Sequence, residues 1–399
     1  MKSKRSLTLQ IALALVLGVV GGIFLQKQSA FAEQYIRPFG TIYLNLIKMI
    51  VIPVVTLSVI QGVISLQDVK KVGAMGGKTL LFFLCTTAFA VTIGLMVANL
   101  LQVGSGYTLP TEDISYTPTA PPGLMDTIVN IFPSNILTPF AENAMLQIIV
   151  VAILFGFGIL LAGEKGTKVS TAVDSLASVS FQVMHLILRL SPAGVFALIL
   201  PVVAQQGAGV LLPLMQVILA AYLAYLIHLT VVYGLAVTVV AKVNPFRFFR
   251  QMGKPMLFAF SSASSVGTLP FSMESTEKLG VSKAVSGFVL PLGATINMDG
   301  TAIYQGVCVI FIARIFGVEL TLVQQLTVVL TSVLASIGTA GVPGSGMLML
   351  AMVLQSVGLP VEGIALVAGI DRILDMGRTV VNITGDCACC LCVNKTAKM

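Results

Sequence analysis

The chain has 399 residues, of which 56% are hydrophobic, only 10% are charged and none is tryptophan, whereas ordinary globular chains carry about a quarter charged residues. Together with a mean hydropathy of +0.98, this excludes soluble, disordered, collagenous and disulfide-stapled classes and points to an all-α polytopic membrane protein. The net charge of +7 is scattered between apolar runs, so its physical use is topology at a membrane rather than nucleic-acid binding.

A helix needs about 20 apolar residues to cross the hydrocarbon. Stretches that qualify lie at residues 7–25, 42–66, 79–101, 144–162, 178–203, 210–240, 284–316 and 363–393, which gives eight expected transmembrane helices. The first follows Lys2, Lys4 and Arg5 and lacks a clear small-residue cleavage pattern, so it reads as an uncleaved helix. Residues 102–122 hold Pro110, Pro118, Pro121 and Pro122 and no basic residue, the composition of an external loop. Residues 123–140 are apolar but interrupted by Pro133 and Pro139, so a broken segment is expected there.

Most of the basic residues fall on one side of these spans: the N-terminal three, Lys70, Lys71, Lys78, Lys165, Lys168, Lys242, Arg247, Arg250, Lys254, Lys278, Lys283, Lys395 and Lys398. The other side holds Lys27 and Arg37 with Glu112, Asp113, Asp126, Glu319 and Glu362. Lys and Arg stay cytoplasmic, so both termini are expected inside and the protein in the plasma (inner) membrane, multi-pass.

Two segments fit neither a loop nor a span. Residues 255–283 contain Ser261-Ser262-Ala263-Ser264-Ser265-Val266-Gly267-Thr268, and residues 323–359 contain Ser336-Ile337-Gly338-Thr339-Ala340-Gly341-Val342-Pro343-Gly344-Ser345-Gly346. Apolar flanks around a small, polar tip describe a re-entrant helical hairpin, whose irregular backbone is tolerated only where protein or a water-filled cavity covers it. Each is followed by a helix carrying polar groups, as expected of inverted repeats with a site at the midplane.

On the last span, at about 100° per residue, Asp371, Asp375, Arg378, Thr379, Asn382 and Asp386 fall within an arc of about 100°. Intramembrane charge is expensive and usually functional; interhelical ion pairs and a ligand- and ion-lined cavity both explain such a stripe, and the cavity explains it better. In the seventh span, Asn297-Met298-Asp299-Gly300-Thr301 is poor helix material. It is either a simple kink or an unwound break whose oxygens suit a hard cation. Thr86 and Thr87 have bonding back to their own helix as the commoner role. His185, His228, Lys48 and Arg189 read as packing or snorkelling groups. Cys387, Cys389, Cys390 and Cys392 read as small packing residues, with a metal site the lesser alternative. No nucleophile–base motif or phosphate loop stands out, which argues against an enzyme.

The serine-rich tip ending Gly267-Thr268-Leu269-Pro270, the run from Asn297 to Thr301, the tip from Gly338 to Gly344 and the stripe from Asp371 to Asp386 together resemble the dicarboxylate/amino acid:cation symporter family, the glutamate transporters, in its bacterial type. The resemblance covers nearly the whole chain. It implies eight spans, two re-entrant hairpins, a homotrimer in the lipid bilayer, and a transport domain moving like an elevator against a scaffold. Scaffold helices 1–2 would occupy residues 1–78, and the external loop with scaffold helices 4–5 residues 102–203. The transport domain would comprise helix 3 (79–101), helix 6 (204–254) and residues 255–399 with both hairpins and helices 7 and 8.

The resemblance further implies a small acidic amino acid, L-glutamate or L-aspartate, as substrate and sodium ions as coupling partners, with no organic cofactor. Arg378 would meet the substrate's side-chain carboxylate and Asp375 its amino group. Thr301, Thr379 and Asn382 would add hydrogen bonds, and backbone near Ser264, Ser265, Gly341 and Val342 would hold the α-carboxylate. Three sodium sites are implied. The first uses Asp386 with carbonyls of Gly293, Asn297 and Asn382. The second uses Thr86, Thr87, Asn297 and Asp299 with the Phe83 carbonyl. The third uses carbonyls of Thr295, Ser336, Ile337 and Thr339 beside Met298. Where some family members have an arginine in the first hairpin, this chain has Ala263 and carries Arg372 on the last helix, from where it is expected to orient Asp375. Proton-coupled uptake of glutamate or C4-dicarboxylates is the alternative within the family, and an ion channel a distant one outside it.

Overall fold

A computed structural model of the chain describes residues 7–72, 74–106, 129, 132–142, 144–336 and 345–396. Among them every regular element is helical. In a hydrocarbon solvent each backbone N–H and C=O must find its partner within the protein, and a helix meets that demand inside its own segment.

In chain order, α1 (Leu7–Phe24) is followed by α2 (Arg37–Val72) and α3 (Ala74–Leu100). Next come α4 (Met145–Leu161), α5 (Glu164–Arg189), α6 (Ser191–Gln206) and α7 (Leu211–Ile227). The axis of α7 continues through wider, π-helical turns at His228–Tyr233 and Ala236–Val240. Then follow α8 (Pro245–Ser262), α9 (Ser265–Lys278), α10 (Lys283–Ile296) and α11 (Asp299–Ile315). The last are α12 (Leu322–Ser336), α13 (Ser345–Ser356) and α14 (Asp371–Thr396).

By length and apolarity alone, three stretches among the described residues can cross a membrane: Met75–Leu100, Leu211–Val240 and Lys283–Ile315. A fourth is possible if Leu13–Phe24 and Gln26–Tyr43, bent by 73°, form one span. The charges of α14 keep it off such a count although it is buried along most of its length.

The first hairpin and the broken seventh span follow from local chemistry. Asn244 caps α8, its side chain accepting from the N–H groups of Phe246 and Arg247, with Pro245 at the first helical position. Helix α8 ends at Ala263, which adopts a left-handed conformation (φ 51°), and Ser264 then caps α9 by accepting from Gly267 N–H. Between α10 and α11, Asn297 is extended and Met298 non-helical, so the helix unwinds where Asn, Asp and Gly cluster. Helices α12 and α13 flank the second tip; residues 337–344 lie outside the described residues.

Four expectations need correction. The fifth apolar stretch is not one helix: α5 begins at Glu164, and the chain breaks at Leu190 before Pro192 opens α6. The first hairpin starts at Pro245 rather than at residue 255, because Pro255 is accommodated inside α8. The last stretch divides into a short turn, Ile364–Ala368, and α14. The sixth changes to π-helical hydrogen bonding in its second half.

Packing falls into two neighbourhoods. Helix α1 lies against α6, and α2 against α4, α5 and α6. Elsewhere α14 is contacted by α8, α10 and α11, and α11 by α3, α7 and α13. Helix α11 is the centre of the second group, with every residue but Arg314 buried. It reaches α14 closely at Gly300, where an added Cβ would stand 2.2 Å from the Arg378 carbonyl oxygen. Gly300→Ala must therefore push two backbones apart, at about 1–3 kcal/mol. Thermal unfolding of purified protein should show that loss, whereas Gly287→Ala, with nothing within 4 Å of its added Cβ, should be neutral or stabilising.

Candidate functional site

The polar stripe of α14 faces inward. Asp371, Asp375, Arg378, Thr379, Asn382 and Asp386 are all at most 5% exposed. A buried charge requires partners, and these are found. Arg378 Nε donates to Asp375 Oδ1 at 2.8 Å, its Nη1 to Asp371 Oδ1 at 3.0 Å and its Nη2 to Asp371 Oδ2 at 3.4 Å. The guanidinium also lies over the Tyr304 ring, 4.7 Å from its centre, a cation–π contact. Helix α13 lies close against it: a Cβ at Gly346 would crowd Arg378 Nη1 at 2.2 Å.

Arg372 stands where the wheel puts it, at the edge of the stripe, with Nη1 3.3 Å from Asp375 Oδ2. Its Nη2 donates to the carbonyl of Ser262 at 3.4 Å, tying the end of α8 to α14. Thr379 donates back to the Asp375 carbonyl at 2.8 Å. Asp375 is thus flanked by two arginines, and the four charges of this cluster balance.

One turn deeper, the break in the seventh span meets the same helix. Asn297 Nδ2 donates to the Asn382 carbonyl at 3.0 Å and to Asp386 Oδ1 at 2.9 Å. Asn382 Oδ1 accepts from Gly300 N–H at 2.7 Å, and its Nδ2 faces Met298 Sδ at 3.3 Å. Met298 Sδ is also 3.9 Å from Thr301 Oγ1. Asn297 Oδ1 is buried with no donor. An orphaned amide oxygen beside a buried carboxylate is a donor set that a desolvated hard cation completes, and the oxygen-only chemistry suits one.

Asp299, at the start of α11, forms a third centre. Thr87 Oγ1 donates to its Oδ1 at 2.6 Å, while His228 Nε2 (3.1 Å) and Tyr233 Oη (2.7 Å) converge on its Oδ2. Thr86 and Thr87 also point back at the Phe83 carbonyl, at 3.2 and 2.8 Å, so the backbone role expected of them coexists with a carboxylate contact. His228 is not the packing group its apolar neighbours suggest: it is fully buried on Asp299.

The remaining candidates are less gathered. Ser264 is engaged as a helix cap and Ser265 is buried beside it. Thr295 and Ser336 bond back to their own helices, to Leu292 and Val333. Gly293 accepts from Asn297 N–H at 2.8 Å. Ile337, Thr339, Gly341 and Val342 lie outside the described residues. The four cysteines of α14 are buried, and among the described residues no three His, Cys, Asp or Glu side chains come together as a metal cluster. An apolar cavity of about 630 Å³ is lined by Lys78, Cys85, Leu235 and the candidate residue Thr86, among others.

Sequence reasoning missed three side chains of these centres. Tyr304 lies one turn beyond Thr301 on α11, a spacing that could have flagged it. His228 and Tyr233 are five residues apart, and no α-helical period links them to each other or to Asp299.

Comparison with known proteins places these centres in context. The profile of the sodium:dicarboxylate symporter family matches residues 7–396. The chain is 39% identical to the proton/sodium-glutamate symport protein of Bacillus caldotenax, over 98% of this chain and 94% of that protein. It is 37% identical to the proton/glutamate-aspartate symporter of Escherichia coli (98% and 93% covered). It is 35% identical to C4-dicarboxylate transport protein 1 of Ralstonia nicotianae (97% and 91% covered).

The arginine cluster makes a prediction that stands apart from any substrate. Asp371→Ala removes one partner of a buried pair, a change that costs about 3–5 kcal/mol. Asp371→Asn keeps an accepting oxygen for Arg378 and should lose less. Unfolding of the two purified variants, compared with the parent, checks the order.

Proposed function

This chain belongs to the sodium:dicarboxylate symporter family, an integral membrane symporter and not an enzyme, and we propose that it takes up L-glutamate or L-aspartate together with sodium ions. The observation that carries the substrate class is the buried pair on α14, Arg378 beside Asp375 at 2.8 Å. A guanidinium offers a planar fork to a carboxylate and stays charged when buried. The neighbouring carboxylate offers a place for an ammonium. An acidic amino acid brings both charges; glutamate and aspartate differ by one methylene, worth about 0.8 kcal/mol of burial, so one pocket serves both.

In this reading the substrate's side-chain carboxylate displaces Asp371 from the Arg378 fork, and its ammonium takes up Asp375. Thr301, Thr379 and Asn382 complete the polar wall, with Ser264, Ser265, Gly341 and Val342 at the two hairpin tips. Sodium is the co-transported cargo. Asp386 with Gly293, Asn297 and Asn382 would hold one ion; Phe83, Thr86, Thr87, Asn297 and Asp299 a second; Thr295, Ser336, Ile337 and Thr339 beside Met298 a third. The orphaned Asn297 Oδ1 supports the second of these sets.

For the movement we propose eight crossings with cytoplasmic termini in the plasma membrane, and a homotrimer. Residues 1–78 and 102–203 form a scaffold past which 79–101 and 204–399 slide as an elevator. The packing of α2 on α4–α6, and of α14 on both sides of the broken helix, supports two such bodies. A proton-coupled carrier of C4-dicarboxylates is the second reading, favoured by Arg372, which already balances Asp375 without an ammonium.

Uptake of labelled glutamate, aspartate and succinate into proteoliposomes, under imposed sodium or proton gradients, decides between the two. Concentrative glutamate or aspartate uptake driven by sodium is expected; uptake of succinate alone, or indifference to sodium, overturns the proposal. Asp386→Asn should weaken sodium dependence and substrate affinity together, because binding linkage is reciprocal. Arg378→Cys should abolish uptake of acidic substrates in a folded protein and admit a small neutral amino acid such as serine. Retained preference for acidic over neutral amino acids in that variant would sink the role given to Arg378.

A further inference from the structure

The turn that follows α7 has an unusual construction with a specific geometric result. From His228 to Tyr233 the backbone bonds five residues back, as in the N–H of Gly234 donating to Leu229. No proline lies in the segment 228–240 to force this. Along an α-helix two residues five apart are separated by about 500°, hence about 140° in projection, and cannot meet at one point. A turn closed by an i→i+5 bond stacks them, and such turns are frequent at functional sites.

Here the stacked pair is His228 and Tyr233, both 0% exposed. Their rings meet edge to face with centres 4.7 Å apart. Both polar atoms reach one oxygen, Asp299 Oδ2, at 3.1 and 2.7 Å. His228 Nδ1 is buried without a partner, so the ring's hydrogen bond is made through Nε2. The other carboxylate oxygen is held by Thr87 at 2.6 Å. Three side chains from two other helices thus fix the rotation of one carboxylate at the first residue after the helix break.

We infer that the π-helical turn His228–Tyr233 is a positioning element for the Asp299 cation site: by clamping Oδ2 it aims the carboxylate and sets how tightly sodium binds there. The inference rests on the reading of Asp299 as a sodium ligand. Its physical basis is preorganisation. A carboxylate held in its binding rotamer needs no reordering when the ion arrives, and removal of such supporting groups typically lowers metal affinity about 10- to 100-fold. Neither His228 nor Tyr233 touches the ion in this arrangement; both act through Asp299.

The test uses purified full-length protein without substrate. Thermal unfolding is followed against sodium concentration with choline as the balancing ion, and binding of radioactive sodium provides a second readout. Tyr233→Phe removes a single oxygen and keeps the ring, so its folding is secure. Tyr233→Phe and His228→Ala should each raise the half-saturating sodium concentration about 10- to 100-fold, and His228→Gln, which retains a donor, should recover part of the loss. Placed in an Asp299→Asn background, Tyr233→Phe should add no further shift, since interacting residues are non-additive. If both single variants keep the parent's half-saturation while Asp299→Asn loses its sodium response, the positioning role is overturned and the cation site stands. If Asp299→Asn responds to sodium as the parent does, the cation reading falls and the inference with it.

Discussion

Burying the guanidinium of Arg378, 2% exposed, requires that carboxylates be buried with it, and much of the surrounding architecture answers that demand. Asp371 and Asp375 supply the charge, Tyr304 supplies an aromatic face from α11, and Gly346 lets α13 come down on the group without a side chain in the way. Each partner arrives on a different element or a different turn. The charges themselves share α14, and α11 and α13 are what cover them.

The same economy governs the broken span. Unwinding at Asn297 and Met298 releases backbone groups that water would satisfy at a surface but cannot reach in hydrocarbon. Helix α14 takes up part of the deficit: Asn382 accepts from Gly300 N–H, and its carbonyl accepts from Asn297 Nδ2. What is left over is the Asn297 side-chain oxygen, buried without a donor beside Asp386. The arginine cluster and this oxygen centre thus share one helix and one supporting break. Asn382 joins the two, one turn from Arg378 and one turn from Asp386.

Asp299 illustrates a different solution. Its charge is met by hydroxyl and imidazole groups from α3 and from the turn after α7. Partners on both of its oxygens hold the carboxylate in place. The arginine cluster, by contrast, balances its charges internally.

The sequence by itself determined the solvent, the helical class and the two positions at which helices could not be continuous. It also determined the inward stripe of α14, because 3.6-residue periodicity reports directly which side chains share a face. It anticipated the hairpin at Ala263 and the break at Asn297, since both are written in local chemistry: a small polar tip in one, poor helix formers in the other. It did not determine where helices cross a proline, as with Pro255 inside α8, or break without an obvious polar run, as between α5 and α6. Only the tertiary structure decided what covers that stripe, with Tyr304 of α11 over Arg378 and Arg372 reaching the end of α8. It alone brought His228 and Tyr233 onto Asp299, through a turn whose widened hydrogen bonding no residue type announces. The physical reason is range: periodicity and capping act over one or two turns and bring the charges of α14 onto one face, whereas Thr87, His228 and Tyr233 reach Asp299 through packing between segments distant in the chain.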